Sequence, residues 1–192
     1  MAKYTVLADV GKAIVDMLKD QLVPEPVAKR ENIGLCDPKE RGSFVVGVHP
    51  YDIEYLPESR NRGPVQLPDG NLQNPPISYT VKYMISVSSK AEIANRGIDE
   101  QRIFGRLIQV FADNSSIPEK YMSGALKMAN EPIGINMQTI ELEEKVKVWS
   151  MFSEPYKLSA FYTVGPINVD STVIRVPSKR VVSVDIKSKL NK

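Results

Sequence analysis

The segment 77–88 constrains the fold of this chain more than any other stretch. Apolar side chains occupy every second position along it: Ile77, Tyr79, Val81, Tyr83, Ile85 and Val87. The positions between them are polar except for Met84. Because side chains of a β-strand alternate between its two faces, this pattern predicts a strand of about twelve residues. We expect one face of its sheet to pack on a core and the other face to be wetter.

The rest of the chain mixes helical and strand patterns. Apolar residues recur at helical spacing in three segments: 5–22, 97–113 and 141–151. Further strands are predicted at 33–35, 44–55 with a bend at Pro50, 133–139, 157–168 and, as a broken strand or hairpin, 173–186. Because helices and strands do not alternate as regular βαβ units, the sequence predicts an α+β fold. We expect a single domain over 1–192, with a mixed or antiparallel sheet and helices packed on one face.

The stretch 56–76 is rich in residues that interrupt regular structure. It contains five prolines and two glycines. Structureless loops of about 20 residues are uncommon in compact domains. The strand at 77–88 follows directly and completes the sheet, so we do not interpret this stretch as a domain linker. We expect a long Pro-rich loop that is either disordered or a dedicated contact surface.

Positive charge is concentrated at the C-terminal end. The whole chain has a net charge of +2, but residues 172–192 hold six basic residues against one acidic residue, Asp185. Such a tail is typical of contact with a polyanion or an acidic protein surface. We expect a basic C-terminal strand at 172–192. The candidate partner-contact residues are Arg175, Lys179, Arg180, Lys187 and Lys189, together with Arg60 and Arg62 of the Pro-rich stretch.

The sequence offers no recognisable set of catalytic or metal-binding residues. It holds one histidine, His49, and one cysteine, Cys36, and it lacks HExxH, CxxC, GxGxxG and P-loop patterns. Zinc sites need about four ligands. Acids at 141–144 start a predicted helix, where the helix dipole favours them. We predict a structural or interaction protein without enzymatic activity, metal or cofactor. The alternative from another class is a small hydrolase or transferase whose site carries no sequence signature.

The sequence also bears on three other classes of protein: membrane-spanning proteins, proteins with a signal peptide and nucleic-acid-binding proteins. No stretch approaches 18 uninterrupted apolar residues, so no membrane-spanning helix is predicted. The first residues lack the basic flank and apolar stretch of a signal peptide, so none is predicted. The basic tail lacks the interleaved aromatic residues of many nucleic-acid modules, so a small nucleic-acid-binding module is only a further alternative.

Several motifs resemble one known family. An acidic helix ends in Trp149-Ser150 and is followed by the motifs Pro155-Tyr-Lys-Leu-Ser159, Tyr162-Thr-Val-Gly-Pro166 and Asp170-Ser171. The helix at 103–114 and the opening Leu7-Ala-Asp9-Val also agree. In order and spacing these stretches resemble the N-terminal domain of the cap, or tail-terminator, proteins of phage-tail-like contractile injection systems. That family includes the proteins of the antifeeding prophage and the Photorhabdus virulence cassettes.

The resemblance implies a tail-terminator-like fold and a structural role. Such proteins form a six-fold ring on the distal end of the inner tube and sheath, end polymerisation, set tail length and anchor the last sheath layer. The implied partners are further copies of the chain, the tube protein and the sheath protein. The implied location is the cytoplasm during assembly and afterwards a released or cell-associated particle. The nearest alternative is a tube-end or tail-completion protein of another phage or type VI-like particle.

One contact of the C-terminal tail is predicted on physical grounds. An extended segment can add a strand to an exposed sheet edge, where main-chain hydrogen bonds supply affinity. We expect residues 173–192 to contribute such a strand to a neighbouring subunit or to the sheath, with the lysines facing an acidic partner surface. The alternative is a tail that is solvated or completes the protein's own sheet.

Overall fold

A computed structural model describes residues 4–57, 63–129 and 132–176 of the chain. The helices are α1 (Val6–Leu22), α2 (Ile93–Asp113), α3 (Gly124–Ala129) and α4 (Leu142–Ser150). The strands are β1 (Ile33–Leu35), β2 (Val46–Leu56), β3 (Val65–Gln66), β4 (Leu72–Gln73), β5 (Ile77–Val87), β6 (Gly134–Gln138), β7 (Ser159–Val169) and β8 (Ile174–Arg175). The predicted strands at 33–35, 44–55, 77–88, 133–139 and 157–168 are therefore confirmed, with small shifts at their ends.

The main sheet has five strands in the order β1-β2-β5-β7-β6. β1 and β2 pair in parallel, and the other three pairs are antiparallel. The predicted mixed sheet is confirmed, and the strongly alternating strand β5 lies at its centre. The bend predicted at Pro50 is also present, because the β2–β5 register shifts between Pro50 and Asp52. Proline has no N–H for the ladder, which makes a bulge the natural place for it.

Helices α1 and α2 cover one face of this sheet, whereas α4 packs on the opposite face, so the prediction that the helices pack on one face holds for α1 and α2 but is wrong for α4. The apolar stripe of α1 is fully buried at Val10, Met17 and Leu18. On α2, the ring of Phe111 packs against that of Tyr162 on β7, with centroids 4.3 Å apart. Burying each large apolar side chain stabilises the fold by roughly 1.5–3 kcal/mol relative to exposure. Within the described ranges, no helix is both long enough and apolar enough to cross a membrane.

The other face of the sheet is less wet than its sequence pattern predicts. Met84 on β5 is completely buried, where it forms a second apolar cluster with Trp149 and Phe161. Ser86 on the same face is also buried. The expectation of a wetter face is wrong at this end, because the short helix α4 packs over it and brings Trp149 onto Met84. Serine hydroxyls tolerate such burial when they are hydrogen-bonded.

The Pro-rich stretch 56–76 is not an uninterrupted loop. It contains β3 and β4, which pair with each other and with β8 in a three-stranded sheet of order β3-β4-β8. The turn between them places Gly70 at φ +83°, and the Asn71 N–H bonds the Asp69 carboxylate at 3.0 Å. Pro-Asp-Gly is a turn signal with a known mechanism. Local turn chemistry therefore makes a hairpin where proline content alone predicts a loop.

Helix α2 starts earlier than predicted. It begins at Ile93, not at 97. No residue from 93 to 102 is buried, and burial begins at Ile103. A periodic apolar stripe is the main sequence signal for a helix. The N-terminal half of α2 has no buried stripe, so its sequence carries little of that signal.

Candidate interaction surface

The two residues with catalytic potential do not form a nucleophile–base pair. The Nδ1 atom of His49 lies 3.1 Å from the main-chain carbonyl oxygen of Cys36, and its ring packs edge-on against Phe152. Burial lowers the pKa of His49. Burial also raises the pKa of the Cys36 thiol, although the Arg41 guanidinium opposes that rise. A reactive cysteine requires a depressed pKa, so this arrangement resembles a structural contact.

Metal-ligating residues are dispersed in the part of the chain that the structure describes. Across 4–57, 63–129 and 132–176, no three His, Cys, Asp or Glu side chains come close enough to hold an ion. The acids at the start of α4 form one pair, in which Lys147 Nζ lies 2.6 Å from Glu143 Oε1. Such exposed i,i+4 pairs contribute a few tenths of a kcal/mol, about 0.3–0.5, to helix stability. The candidate functional sites are therefore surfaces that could bind other proteins.

The predicted basic contact residues are only partly described. Arg175 lies on β8, is exposed, and pairs in register with Leu72. Lys179, Arg180, Lys187, Lys189, Arg60 and Arg62 lie outside the described residues. Their role in partner contact stays a prediction. The predicted broken strand at 173–186 begins with β8, so the first residues of the tail already complete the protein's own small sheet.

An exposed apolar patch lies where β2 and β5 extend beyond the helices. We name the helix-side face formed by Ile53, Tyr55, Ile77 and Tyr79 the distal sheet surface. Ile53 is 52% exposed and Tyr55 is 40% exposed, although both lie on the face that is buried farther along the sheet. The Tyr55 and Tyr79 rings meet at 5.8 Å between centroids. Sequence reasoning missed this surface, because alternation shows which side chains share a face and not where the covering helices end.

The opposite face of the same strands is charged. Lys82 Nζ lies 3.2 Å from the Asp52 carboxylate and also pairs with Glu54. The hydrogen bond with Glu54 is the largest influence that raises the pKa of Lys82. The distal end of the sheet is therefore amphipathic, with ion pairs on one face and uncovered apolar side chains on the other. Contiguous exposed apolar side chains of this kind commonly mark a protein contact.

The N-terminal half of α2 is a second exposed element. Ile93 is 86% exposed and Ile98 is 63% exposed. The helix is anchored to the loop after β5 by two acids, because Asp99 accepts the Ser89 hydroxyl and Glu100 accepts the Ser89 N–H at 3.0 Å. The exposed turns extend away from the core while their base is fixed.

Comparisons with known proteins identify the fold. The sheath/tube terminator of the extracellular contractile injection system PVC, in its extended state, superposes with a TM-score of 0.64. The identity is 15%, over 97% of this chain and 64% of that chain. The tube-terminating cap of the anti-feeding prophage gives a TM-score of 0.60 at 12% identity, over 94% of this chain and 61% of that chain. The chain thus spans less than two thirds of either solved chain. No curated protein matches the sequence.

The family is established by the sequence match. The Pvc16 N-terminal domain family matches residues 9–183, which is most of the chain. Two solved structures with the same fold are terminator or cap proteins of contractile injection systems. The resemblance drawn from the motifs around Trp149, Tyr162 and Asp170 is confirmed. The chain belongs to the Pvc16 N-terminal domain family.

Proposed function

We propose that this protein is a structural cap subunit of a contractile injection particle. It forms a ring on the distal end of the tube and sheath, ends polymerisation, fixes the length and anchors the last sheath layer. The observation that carries the proposal is the fold shared along 97% of the chain with a sheath/tube terminator. The chain acts as a binding protein and performs no chemistry, which accords with the placement of His49 and Cys36.

The exposed surfaces suit a ring. A terminator must match the end of a polymer without presenting the same surface again, and a ring of head-to-tail contacts closes on itself and stops growth. The distal sheet surface and the exposed half of α2 supply two different apolar patches, as head-to-tail contacts require. Six copies of 21.4 kDa would give a ring of about 128 kDa. The partners are further copies, the tube protein and the sheath protein, and the ring assembles in the cytoplasm before the particle is released.

The basic tail adds a further contact in this proposal. β8 uses Ile174 and Arg175 within the protein's own small sheet. A strand offered to another subunit is therefore drawn from residues after 176, which carry Lys179, Arg180, Lys187 and Lys189. These side chains suit an acidic partner surface, because exposed charges of opposite sign steer association.

Particles made with and without the protein test the proposal. We expect negative-stain images of particles with the protein to show uniform lengths with closed ends, and antibody labelling to place it at one end only. Particles without it should vary in length or carry unfinished ends. Labelling along the whole particle, or unchanged lengths and ends without the protein, would contradict the proposal. Light scattering of the purified protein, alone and with tube ends, gives the number of copies.

A tube-end protein that does not touch the sheath is the second candidate. The name of the anti-feeding prophage cap refers to the tube alone. Separate co-sedimentation with purified tubes and with purified sheaths distinguishes the two candidates. Binding to both polymers supports the sheath-anchoring cap, and binding to tubes alone supports the tube-end protein.

A further inference from the structure

The outer edge of β1 is an open strand edge. β1 pairs with β2 in a register that sets Gly34 opposite Gly47. Directly after β1, the Cys36 N–H donates a hydrogen bond of 3.1 Å to the Val48 carbonyl. In a strand, successive residues direct their main-chain groups to opposite sides. The N–H and C=O of Leu35 therefore point away from β2. Among the described residues, none bonds to these two groups. Open edges of this kind are the usual sites of strand addition.

A groove runs along this edge and measures about 430 Å³. Its lining combines apolar side chains with charged ones of both signs: Val15, Ile33, Leu35 and Phe44, and Lys12, Asp16, Lys19 and Glu31. Leu35 packs toward Gly11 of α1, whereas the Phe44 ring lies against Gly34. α1 therefore borders the edge on one side and Phe44 borders it on the other. A strand added here would pack the side chains of one face into this groove, which an ordinary exposed edge does not offer.

The sequence contains a segment with the pattern that such a groove requires. In 181–186, Val182, Val184 and Ile186 alternate with Ser183 and Asp185. Alternation of this kind is typical of a strand with one buried face. Val181 adds a fourth apolar side chain at the start of the segment.

The geometry favours a neighbouring copy as the donor of this segment. The Asn74 N–H bonds the Val173 carbonyl, so the tail leaves the body near the Ile77 end of β5. β1 lies at the other end of the sheet, because Ile33 pairs with Val46 and Val46 pairs with Val87. The ten residue steps from Ile77 to Val87 span about 33 Å. The five steps from 176 to 181 reach at most about 18 Å.

We propose that residues 181–186 of one copy add as a strand to the outer edge of β1 in the neighbouring copy. Val182, Val184 and Ile186 enter the groove between α1 and Phe44, and the Leu35 N–H and C=O bond the added strand. The inference rests on the proposed ring, which brings the copies together. It adds a strand contact between neighbouring subunits to the two apolar patches named above.

Native lysines make the contact measurable in the unmodified protein. Lys12 and Lys19 line the groove, and Lys179, Lys187 and Lys189 flank the added segment. Equal amounts of unlabelled and nitrogen-15 protein are mixed, treated with an amine cross-linker and analysed by mass spectrometry, both in solution and on particles. We expect mixed-isotope links from the tail lysines to Lys12 or Lys19. Links within single copies only, links elsewhere, or no links in either sample would overturn the proposal.

A matched pair of substitutions tests which face of the added strand enters the groove. Neither substitution changes a residue of the described body. Val184→Asp buries a carboxylate in the groove, and we expect the mixed-isotope links to fall about tenfold or more. Ser183→Asp places the same charge on the other face, and we expect a change of less than about twofold. Equal losses of mixed-isotope links in the two variants, or no loss in either, would overturn the proposal that the Val184 face of the strand enters the groove.

Failure of this inference is distinguishable from failure of the proposed function. If the protein occupies particle ends while the tail links miss the groove, the strand contact is wrong and the cap function stands. If the mixed-isotope links form while the protein is absent from particle ends, the strand contact stands and the cap function is wrong.

Discussion

The indole Nε1 of Trp149 donates a hydrogen bond of 3.0 Å to the Ser159 hydroxyl, which joins α4 to the first residue of β7. Both residues are buried, and Trp149 also packs on Met84 and Phe161. We expect Trp149→Ala to lower the free energy of unfolding by about 3–5 kcal/mol, because it leaves a large cavity. Ser159→Ala should cost about 1–3 kcal/mol, because the indole N–H loses its acceptor. Chemical denaturation measures both, and a loss below 1 kcal/mol for Trp149→Ala would contradict the packing described.

Tyr162 presents a different case, because its buried hydroxyl has no hydrogen-bond partner in the described part of the chain. We expect Tyr162→Phe to leave the protein as stable or to stabilise it by up to about 1 kcal/mol, since an unsatisfied polar group is removed. Tyr83→Phe serves as the comparison, since Tyr83 is buried equally. Thermal melts of the two variants at neutral pH provide the measurement, and a large loss for Tyr162→Phe would reveal a partner for its hydroxyl.

The same two tyrosines determine how stability responds to alkali. Burial raises the pKa of Tyr83 and of Tyr162 to about 12. In the unfolded chain each loses its proton near pH 10, so the unfolded state gains stability first as the pH rises. Stability is therefore complete below pH 10 and falls between pH 10 and 12, by at most about 2–3 kcal/mol per tyrosine. Denaturation at pH 9 and 11 tests this, and the double Phe variant should show a smaller decline.

Two glycines should respond in opposite ways to alanine. A Cβ at Gly165 would lie 3.1 Å from the Tyr79 carbonyl oxygen and 2.7 Å from the Thr80 methyl. We expect Gly165→Ala to cost about 1–3 kcal/mol, as overpacking usually does. At Gly105, within α2, a Cβ meets nothing within 4 Å. Gly105→Ala should stabilise by about 0.5–1 kcal/mol through helix propensity. Equal effects of the two changes would contradict the close approach at Gly165.

The distal sheet surface should matter for assembly and not for folding. Ile53→Lys changes a half-exposed side chain, so we expect the free energy of unfolding to shift by less than about 1 kcal/mol. Under the proposed function, binding to particle ends should fall severely, because a lysine ammonium is costly to bury at an interface. Glu54→Gln, on the opposite face of the same strand, is the matched control and should bind normally. Co-sedimentation with capless particles compares them, and unchanged binding by Ile53→Lys would exclude this surface.

The sequence predicted those elements whose side chains have one clear environment. α1 has a single buried stripe and was found within one residue of its predicted start, whereas β5 has alternation over its whole length. The burial of Met84 could not be predicted, because it depends on Trp149 of α4, which reaches β5 from a distant part of the chain. Ser86 is contacted by Arg41, which is also remote in sequence. β3 and β4 are two residues each, too short for any periodicity. Only the turn residues around Gly70 signalled them.

The candidate surfaces also divide into one that the sequence predicts and two that it does not. Charge composition identified the basic tail, but of its basic residues only Arg175 lies in the described part of the chain. The distal sheet surface and the groove beside β1 had no sequence signal, because both depend on where one element stops covering another. Exposure of Ile53 follows from the length of β2 relative to the helices above it. Such relationships are set by tertiary packing and not by local pattern.

The two halves of α2 should also differ in how often they open. Isolated helices of about ten residues rarely persist in water, so the turns at 93–102 depend on their attachment to the buried half and on the bonds of Asp99 and Glu100 to Ser89. Their amide protons should exchange with solvent orders of magnitude faster than those around Leu107, which open only with the whole fold. A neighbour that covers Ile93 and Ile98 would slow this exchange. Hydrogen–deuterium exchange on free and assembled protein therefore reports whether a partner binds this half of α2, even before that partner is identified.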